Sequence, residues 1–199
     1  MVNSCAVKNV EIKLISAKGG VVDSVESIDH ELGIDLIIVG TKSNSIKESL
    51  FLGRTAGSLV KQTNLAILAV PEGYKYMPIS RVLMAFKSGI VKSKTVLKPL
   101  QFIVEQFKAE VHLLLVKTPN YKEEDLILHK DLIALQSTLT KTENSTTYQG
   151  VLEHINAQHP DMLCVFRRKR GFFKKLWEKN TILKEEFYAT VPLLVLKGK

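Results

Sequence analysis

The feature that most constrains the fold is an internal repeat. Residues 35–70 align with residues 161–196 without a gap, at a constant offset of 126 (161 − 35). The apolar run Leu-Ile-Ile-Val at 36–39 falls on Met-Leu-Cys-Val at 162–165. Likewise, Leu-Ala-Ile-Leu-Ala-Val at 65–70 falls on Val-Pro-Leu-Leu-Val-Leu at 191–196. Self-similarity at a fixed offset indicates two copies of one structural unit, each about 126 residues long.

The first copy is expected to be incomplete. A turn-rich stretch at 71–78 reads as a linker, and the second copy begins near Ile79. Because 79 − 126 = −47, the opening strand-helix-strand of the first copy would begin some 47 residues before Met1. We therefore expect an incomplete domain at 1–73 and a second domain at 79–199. Whether the protein is naturally short or the sequence is a truncated form stays open.

Short branched-apolar runs alternate with amphipathic segments, which is typical of parallel sheets built from strand-helix-strand units. The hydrophobic fraction of 45% and charged fraction of 24% are ordinary for a soluble globular chain of 199 residues. The apolar runs are too short to span a bilayer and no signal region is evident, so we expect a cytoplasmic protein. The expected strands are 10–15, 36–39, 65–70, 81–86, 111–116, 137–143, 162–166 and 191–196. The expected helices are 21–33, 54–63, 91–107, 122–134, 149–158 and 179–188.

Three stretches carry a resemblance to a known family: Asp-Leu-Ile-Ile-Val-Gly-Thr at 35–41, Leu-Gly at 52–53 and Ala-Ile-Leu-Ala-Val-Pro at 66–71. Together they resemble the universal stress protein (UspA-like) family in tandem form. The resemblance implies an α/β, Rossmann-like (adenine nucleotide alpha hydrolase-like) fold with a five-stranded parallel sheet of order 3-2-1-4-5. It also implies pairing of two such domains through their last strands. We expect the last strands, 65–70 and 191–196, to pair antiparallel within this chain.

One branch of that family binds ATP or AMP through a loop of pattern Gly-x2-Gly-x9-Gly-Ser/Thr after the fourth strand. Gly40 and Gly53 match the first and third glycines, whereas Ser43 and Arg54 depart from the pattern. Glycine is favoured at these positions because phosphate oxygens approach backbone N–H groups at the start of a helix. The Cβ of Ser43 would crowd that approach. Arg54 keeps a positive charge nearby. The residual site would comprise Gly40, Thr41, Ser43, Gly53, Arg54 and Thr55; a plain strand-to-helix turn is the favoured interpretation.

The rest of the nucleotide site departs further from the family. The family has an Asp at the end of its first strand, where this chain has Lys87. In the second copy, Phe166, Lys169 and Lys179 stand at the positions of Gly40, Ser43 and Gly53. Neither copy owns a whole site, so no cofactor is expected, with ATP or AMP binding by the 40–55 loop kept as an alternative.

Residues 167–179 are rich in Lys and Arg and include Phe172, Phe173 and Trp177. This basic segment admits three interpretations. It is a solvated loop whose aromatics pack on the sheet, a surface for anionic membrane or a protein partner, or a nucleic-acid patch. The first is favoured because Trp177 aligns with Phe51 in the repeat.

We expect a non-catalytic, stress-linked binding or interaction module. The five histidines lack the spacing of metal ligands, and Cys5 and Cys164 are expected to be free thiols. Strand 10–15 would leave an apolar edge exposed, which invites pairing with another chain. We therefore expect a homodimer or higher oligomer, with a protein partner as a further option, no DNA and no transmembrane segment.

Overall fold

The computed structural model describes residues 10–41, 53–167 and 191–197. The described part forms five α-helices and seven strands around one sheet. The helices are α1 (Val21–Leu32), α2 (Gly53–Gln62), α3 (Lys98–Phe107), α4 (Lys130–Leu135) and α5 (Thr147–Gln158). The strands are β1 (Ile37–Gly40), β2 (Ile67–Val70), β3 (Arg81–Phe86), β4 (Glu110–Lys117), β5 (Thr138–Glu143), β6 (Met162–Phe166) and β7 (Leu193–Leu196).

The strands lie in the order β1-β2-β7-β6-β3-β4-β5. From β3 onward the order is β5-β4-β3-β6-β7, which is the 3-2-1-4-5 arrangement that the family resemblance implies. All neighbours are parallel except β2 and β7, which are antiparallel. The predicted α/β, mostly parallel fold class is therefore confirmed, and so is the antiparallel pairing of the two last strands.

The antiparallel β2–β7 pair forms a joint in the sheet, and the strand pairs on its two sides, β1–β2 and β6–β7, have matching registers. Ile37 pairs with Ile67 across β1 and β2, and Leu163 pairs with Leu193 across β6 and β7, each residue shifted by 126. The backbone hydrogen bonds match too: Thr41 N donates to Val70 O and Arg167 N donates to Leu196 O. A local twofold axis relates these two strand pairs. The division into a domain at 1–73 and a domain at 79–199 stays a prediction.

Helices cover the sheet in two layers, as right-handed crossovers require. One core contains buried residues of α2 and α5, such as Leu59 and Val151, packed on β2, β3, β6 and β7. The opposite core contains residues of α3 and α4, such as Leu100 and Leu132. Helix α1 corresponds to α5 at the offset of 126 (21 + 126 = 147 and 32 + 126 = 158).

The predicted strand at 10–15 is wrong. These residues form no strand, and the side chains of Val10, Ile12, Leu14 and Ile15 are all more than half exposed. The repeat explains the failure: the offset maps residues 12–17 onto β5, which is separated from β6 by β4 and β3. The described sheet holds no counterparts of β3 and β4 beside β1. Without neighbouring strands in the described chain, the segment has no ladder to join.

Two predicted helices are shorter than expected. In 91–107 a 3₁₀ turn at Lys94–Leu97 precedes α3, whose regular turns begin beside Pro99, a residue favoured at helix starts. In 122–134 a 3₁₀ turn at Glu123–Leu126 is separated from α4 by extended residues. His129 then caps α4, because its Nδ1 accepts a hydrogen bond from the backbone N–H of Asp131 at 3.3 Å. The predicted helix at 179–188 lies outside the described residues.

Candidate functional site

The predicted phosphate loop is described only at its two ends. Gly40 is the last residue of β1, and Thr41 follows it with its backbone N–H bonded to Val70 O at 2.8 Å. Gly53 and Arg54 are the first residues of α2, and Thr55 is exposed in the same turn. Ser43 lies outside the described residues. The assignment of Gly40, Thr41, Ser43, Gly53, Arg54 and Thr55 as a phosphate site therefore stays a prediction.

Gly40 lies at an open position. A Cβ built on Gly40 would meet no atom within 4 Å in the described structure. Strand β1 is the outermost strand of the sheet, with β2 as its one neighbour in the described chain. Ligands of open α/β sheets bind in the crevice between two strands whose connections leave in opposite directions. In the described residues no second strand borders β1 to form such a crevice.

The second half does have such a switch point, between β3 and β6. Ala85 pairs with Val165 in that strand pair. Lys87 and Arg167 each lie two residues after these paired residues, so they occupy equivalent positions at the ends of neighbouring strands. Both side chains are half-buried. Two cations therefore stand at the ends of the strands that border the switch point. Sequence reasoning noted Lys87 and the basic segment separately, and the pairing of β3 with β6 places them at one edge.

Arg167 is bonded across the antiparallel joint. Its Nη2 donates to the backbone O of Lys61 at 3.2 Å, in the last turn of α2. A cation at the carboxyl end of a helix is favourable, because the unpaired carbonyls there carry partial negative charge. Burial lowers the pKa of the Arg167 guanidinium. Of the basic segment 167–179, Arg167 alone is described, and the other residues with their aromatics fall outside.

The loop after β3 forms backbone hydrogen bonds with residues 125–129. Gly89 N–H donates to Asp125 O at 2.8 Å, and His129 N–H donates to Gly89 O at 2.9 Å. The backbone at Ile127 and Leu128 lies so close to Gly89 that a Cβ there would collide with it. Ser88 beside it is buried. This loop is thus fixed by residues 125–129.

A cluster that sequence reasoning missed lies at the carboxyl ends of β4 and β5. Lys117 Nζ donates to Glu143 Oε1 at 2.8 Å and lies 4.4 Å from the centre of the Tyr121 ring. The hydrogen bond to Glu143 raises the pKa of Lys117 above its ordinary value. Because Lys117 pairs with Glu143 in the β4–β5 register, a cross-strand ion pair explains the cluster.

Two histidines, His112 and His154, make structural contacts. His112 Nδ1 lies 2.6 Å from Thr138 Oγ1, across β4 and β5, and His154 Nδ1 lies 2.8 Å from Gly150 O within α5. His30 and His159 are exposed. Within residues 10–41, 53–167 and 191–197 no group of three His, Cys, Asp or Glu side chains is arranged to hold a metal ion. The helices of the same residues are all too short or too polar to cross a bilayer.

The described fold defines a class: a Rossmann-like α/β protein with a mostly parallel sheet between helical layers. No family model matches the chain. Universal stress protein G of Shigella flexneri and that of Escherichia coli O157:H7 are each 34% identical to it over 70 residues. That match covers 35% of this chain and 49% of each relative, so the chain spans about half the length of the curated relatives it matches.

Solved structures agree on the fold. A universal stress protein from Archaeoglobus fulgidus DSM 4304 has a TM-score of 0.57 at 16% identity, over 88% of this chain and 66% of that one. A functionally unknown protein from Pseudomonas aeruginosa PAO1 has a TM-score of 0.58 at 12% identity, over 91% and 69%. Sequence and fold likeness together support the universal stress protein family for this chain.

Proposed function

We propose that the chain is a non-catalytic, stress-linked binding and interaction module of the cytoplasm, with no complete nucleotide site. In this proposal the chain is a tandem of two universal stress protein-like modules, and the first module contributes β1 and β2 to the described sheet. The matching registers on the two sides of the β2–β7 joint support the tandem arrangement.

One observation carries the proposal. Gly40 ends the outermost strand, Thr41 follows it, and beyond that strand the described chain has no second strand beside them. The crevice that a nucleotide would enter needs such a strand.

The second module contains the crevice between two strands, but its side chains there differ from those with which the family binds a nucleotide. Lys87 stands where the family has an acid, and Phe166 stands where it has the first loop glycine. A lysine cannot accept the hydrogen bonds that a carboxylate accepts. The parts of the site are therefore divided between the modules.

The competing function is an ATP- or AMP-dependent switch that uses the 40–55 loop. A ligand that binds only the folded state adds RT ln(1 + [L]/Kd) to stability, about 2.7 kcal/mol at a hundredfold excess over Kd. Thermal melts with millimolar ATP or AMP and Mg²⁺ separate the two functions. We expect no change in Tm, and a rise in Tm would overturn the proposal.

Gly40→Val provides the matched control. The position of its Cβ is open in the described structure and valine suits a strand, so the fold should be retained. If ATP raises the Tm of the wild type and not of this variant, the 40–55 loop is a nucleotide site. Equal rises in both proteins would place nucleotide elsewhere on the chain.

A further inference from the structure

The two edges of the seven-stranded sheet differ in chemistry. Strand β5 forms one edge and carries Lys141 and Glu143 among threonines. Strand β1 forms the other edge within the described chain, and its four residues, Ile-Ile-Val-Gly, are all uncharged. Proteins protect free edges with charged side chains, because an unprotected edge pairs with other chains. The β5 edge is protected in this way and the β1 edge is not.

The sheet face beside the β1 edge is also uncovered. The side chain of Ile38 is 68% exposed, whereas Cys164, its counterpart at the offset of 126, is 0% exposed. Cys164 is covered because β6 pairs with β3 and because α3 packs over this face through Leu100 and Ile103. Nothing in the described chain does the same for Ile38. Within the described chain, therefore, no strand pairs with the outer edge of β1, and the apolar side chain of Ile38 is uncovered.

The same chain carries a segment at residues 10–15 that belongs to no helix or strand. In residues 10–15 apolar and charged side chains alternate, and Lys13 Nζ lies 3.3 Å from Glu11 Oε1. Residues two apart lie on the same side of an extended chain. This ion pair leaves Val10, Ile12 and Leu14 on the other side, all more than half exposed. The segment has the alternation of a half-buried strand and balanced charge.

The segment is not placed to cover β1 of its own chain. Helix α1 corresponds to α5, and the strand before α5 is β5, which lies three places from β6. At the offset of 126, residues 12–17 are the counterpart of β5, a strand that does not neighbour β6. In agreement, residues 10–19 form no ladder in the described structure.

We propose that residues 10–15 of a second copy of this chain add to the β1 edge, so that two copies exchange these segments about a twofold axis. Each copy supplies one segment and one edge, so a single twofold operation covers both edges at once. The proposal rests on the proposed function only in treating the chain as an interaction module; it names the surface and the partner.

Light scattering after size-exclusion chromatography tests the oligomer. At micromolar concentration we expect a mass of twice 22.3 kDa for the wild type. Ile38→Lys should raise the dimer dissociation constant at least about tenfold, because an unpaired charge is costly to bury. Ile127→Lys is the matched control: Ile127 is 69% exposed and lies in the segment before α4, so this variant should remain dimeric. A monomeric wild type, or a dimer that Ile38→Lys leaves intact, would overturn the proposal.

Cross-linking tests the exchange itself. In a Cys5→Ser background, a mixture of Ile12→Cys and Ile38→Cys chains should form a disulfide-linked heterodimer. Replacing Ile12→Cys by Phe102→Cys, a residue of α3 that is 61% exposed, should abolish that product. In a chain that carries both cysteines, a mainly intramolecular disulfide would contradict the exchange. A rise in Tm with ATP would instead overturn the proposed function and leave the dimer data unaffected.

Discussion

Leu68 lies directly opposite Leu194 in the antiparallel pair of β2 and β7. The two residues are 126 positions apart (194 − 68), which is the repeat offset read from the sequence alone. A residue that pairs with its own counterpart must lie on the twofold axis that relates the two strand pairs. The axis of the joint therefore passes between these two leucines.

The two leucines should differ in their contribution to stability. Leu194 is fully buried beneath one helical layer, whereas Leu68 is half-buried at the margin of the same hydrophobic core. Leu194→Ala should lower the free energy of unfolding by about 2–5 kcal/mol. Leu68→Ala should cost about 1 kcal/mol. Urea unfolding of both variants measures this, and equal losses would mean that Leu68 is packed as fully as Leu194.

The hydrogen bond between Arg167 and the carboxyl-terminal turn of α2 should stabilise the fold. Arg167→Ala removes the hydrogen bond to Lys61 O and should cost about 1 kcal/mol of unfolding free energy. Lys61→Ala is the control, because it deletes the Lys61 side chain and keeps the carbonyl that accepts the bond. We expect urea midpoints to fall for the first variant and to stay unchanged for the second. A similar fall in both would show that the contact is not specific to the guanidinium.

Gly150 should be required where α5 crosses β4. A Cβ at this position would lie 2.7 Å from Val116 Cγ2, so Gly150→Ala should destabilise the fold by about 1–3 kcal/mol. Its counterpart in α1 is Ser24 (150 − 126), where a side chain is present. Chemical denaturation of Gly150→Ala in a Val116→Ala background should show a favourable coupling. Strict additivity of the two substitutions would contradict the predicted collision.

Cys164 should be inert in the folded protein. It is fully buried between β3 and β7, and burial raises the pKa of its thiol. In Cys5→Ser protein at pH 8, a thiol reagent should react only after denaturation. The thiol has a higher pKa in the folded protein than in the unfolded one. Its contribution to the free energy of unfolding is therefore complete below the unfolded pKa of about 8.5, and it falls as the pH rises above that value. Cys164→Ala should remove that part of the decline between pH 8.5 and 10, and an unchanged slope would contradict the assignment.

The repeat predicted most of the fold. Its constant offset held because residues 36–39 and 65–70 keep the same apolar pattern as residues 162–165 and 191–196, and such patterns specify strand registers directly. The segment 10–15 has an equally clear pattern and forms no strand. Alternation describes only which side a residue faces; a strand also needs a neighbour with which to pair its backbone groups.

The candidate site was less predictable. The sequence matched Gly40 and Gly53 to a motif, but a motif does not reveal that β1 is an outer strand of the described sheet. Nor does it reveal that Lys87 and Arg167 follow neighbouring strands, since their proximity depends on the pairing of residues some 80 positions apart. The interaction of Arg167 with Lys61 O likewise depends on the antiparallel joint.

We propose that the parts of a nucleotide site are divided between two modules, so that neither module binds the ligand. The most direct test of this proposal is the adenine nucleotide content of protein purified without added nucleotide, measured by chromatography and mass spectrometry of an acid extract. We predict adenine nucleotide far below one molecule per chain. One ATP or AMP per chain, lost in the Gly40→Val variant, would contradict the account.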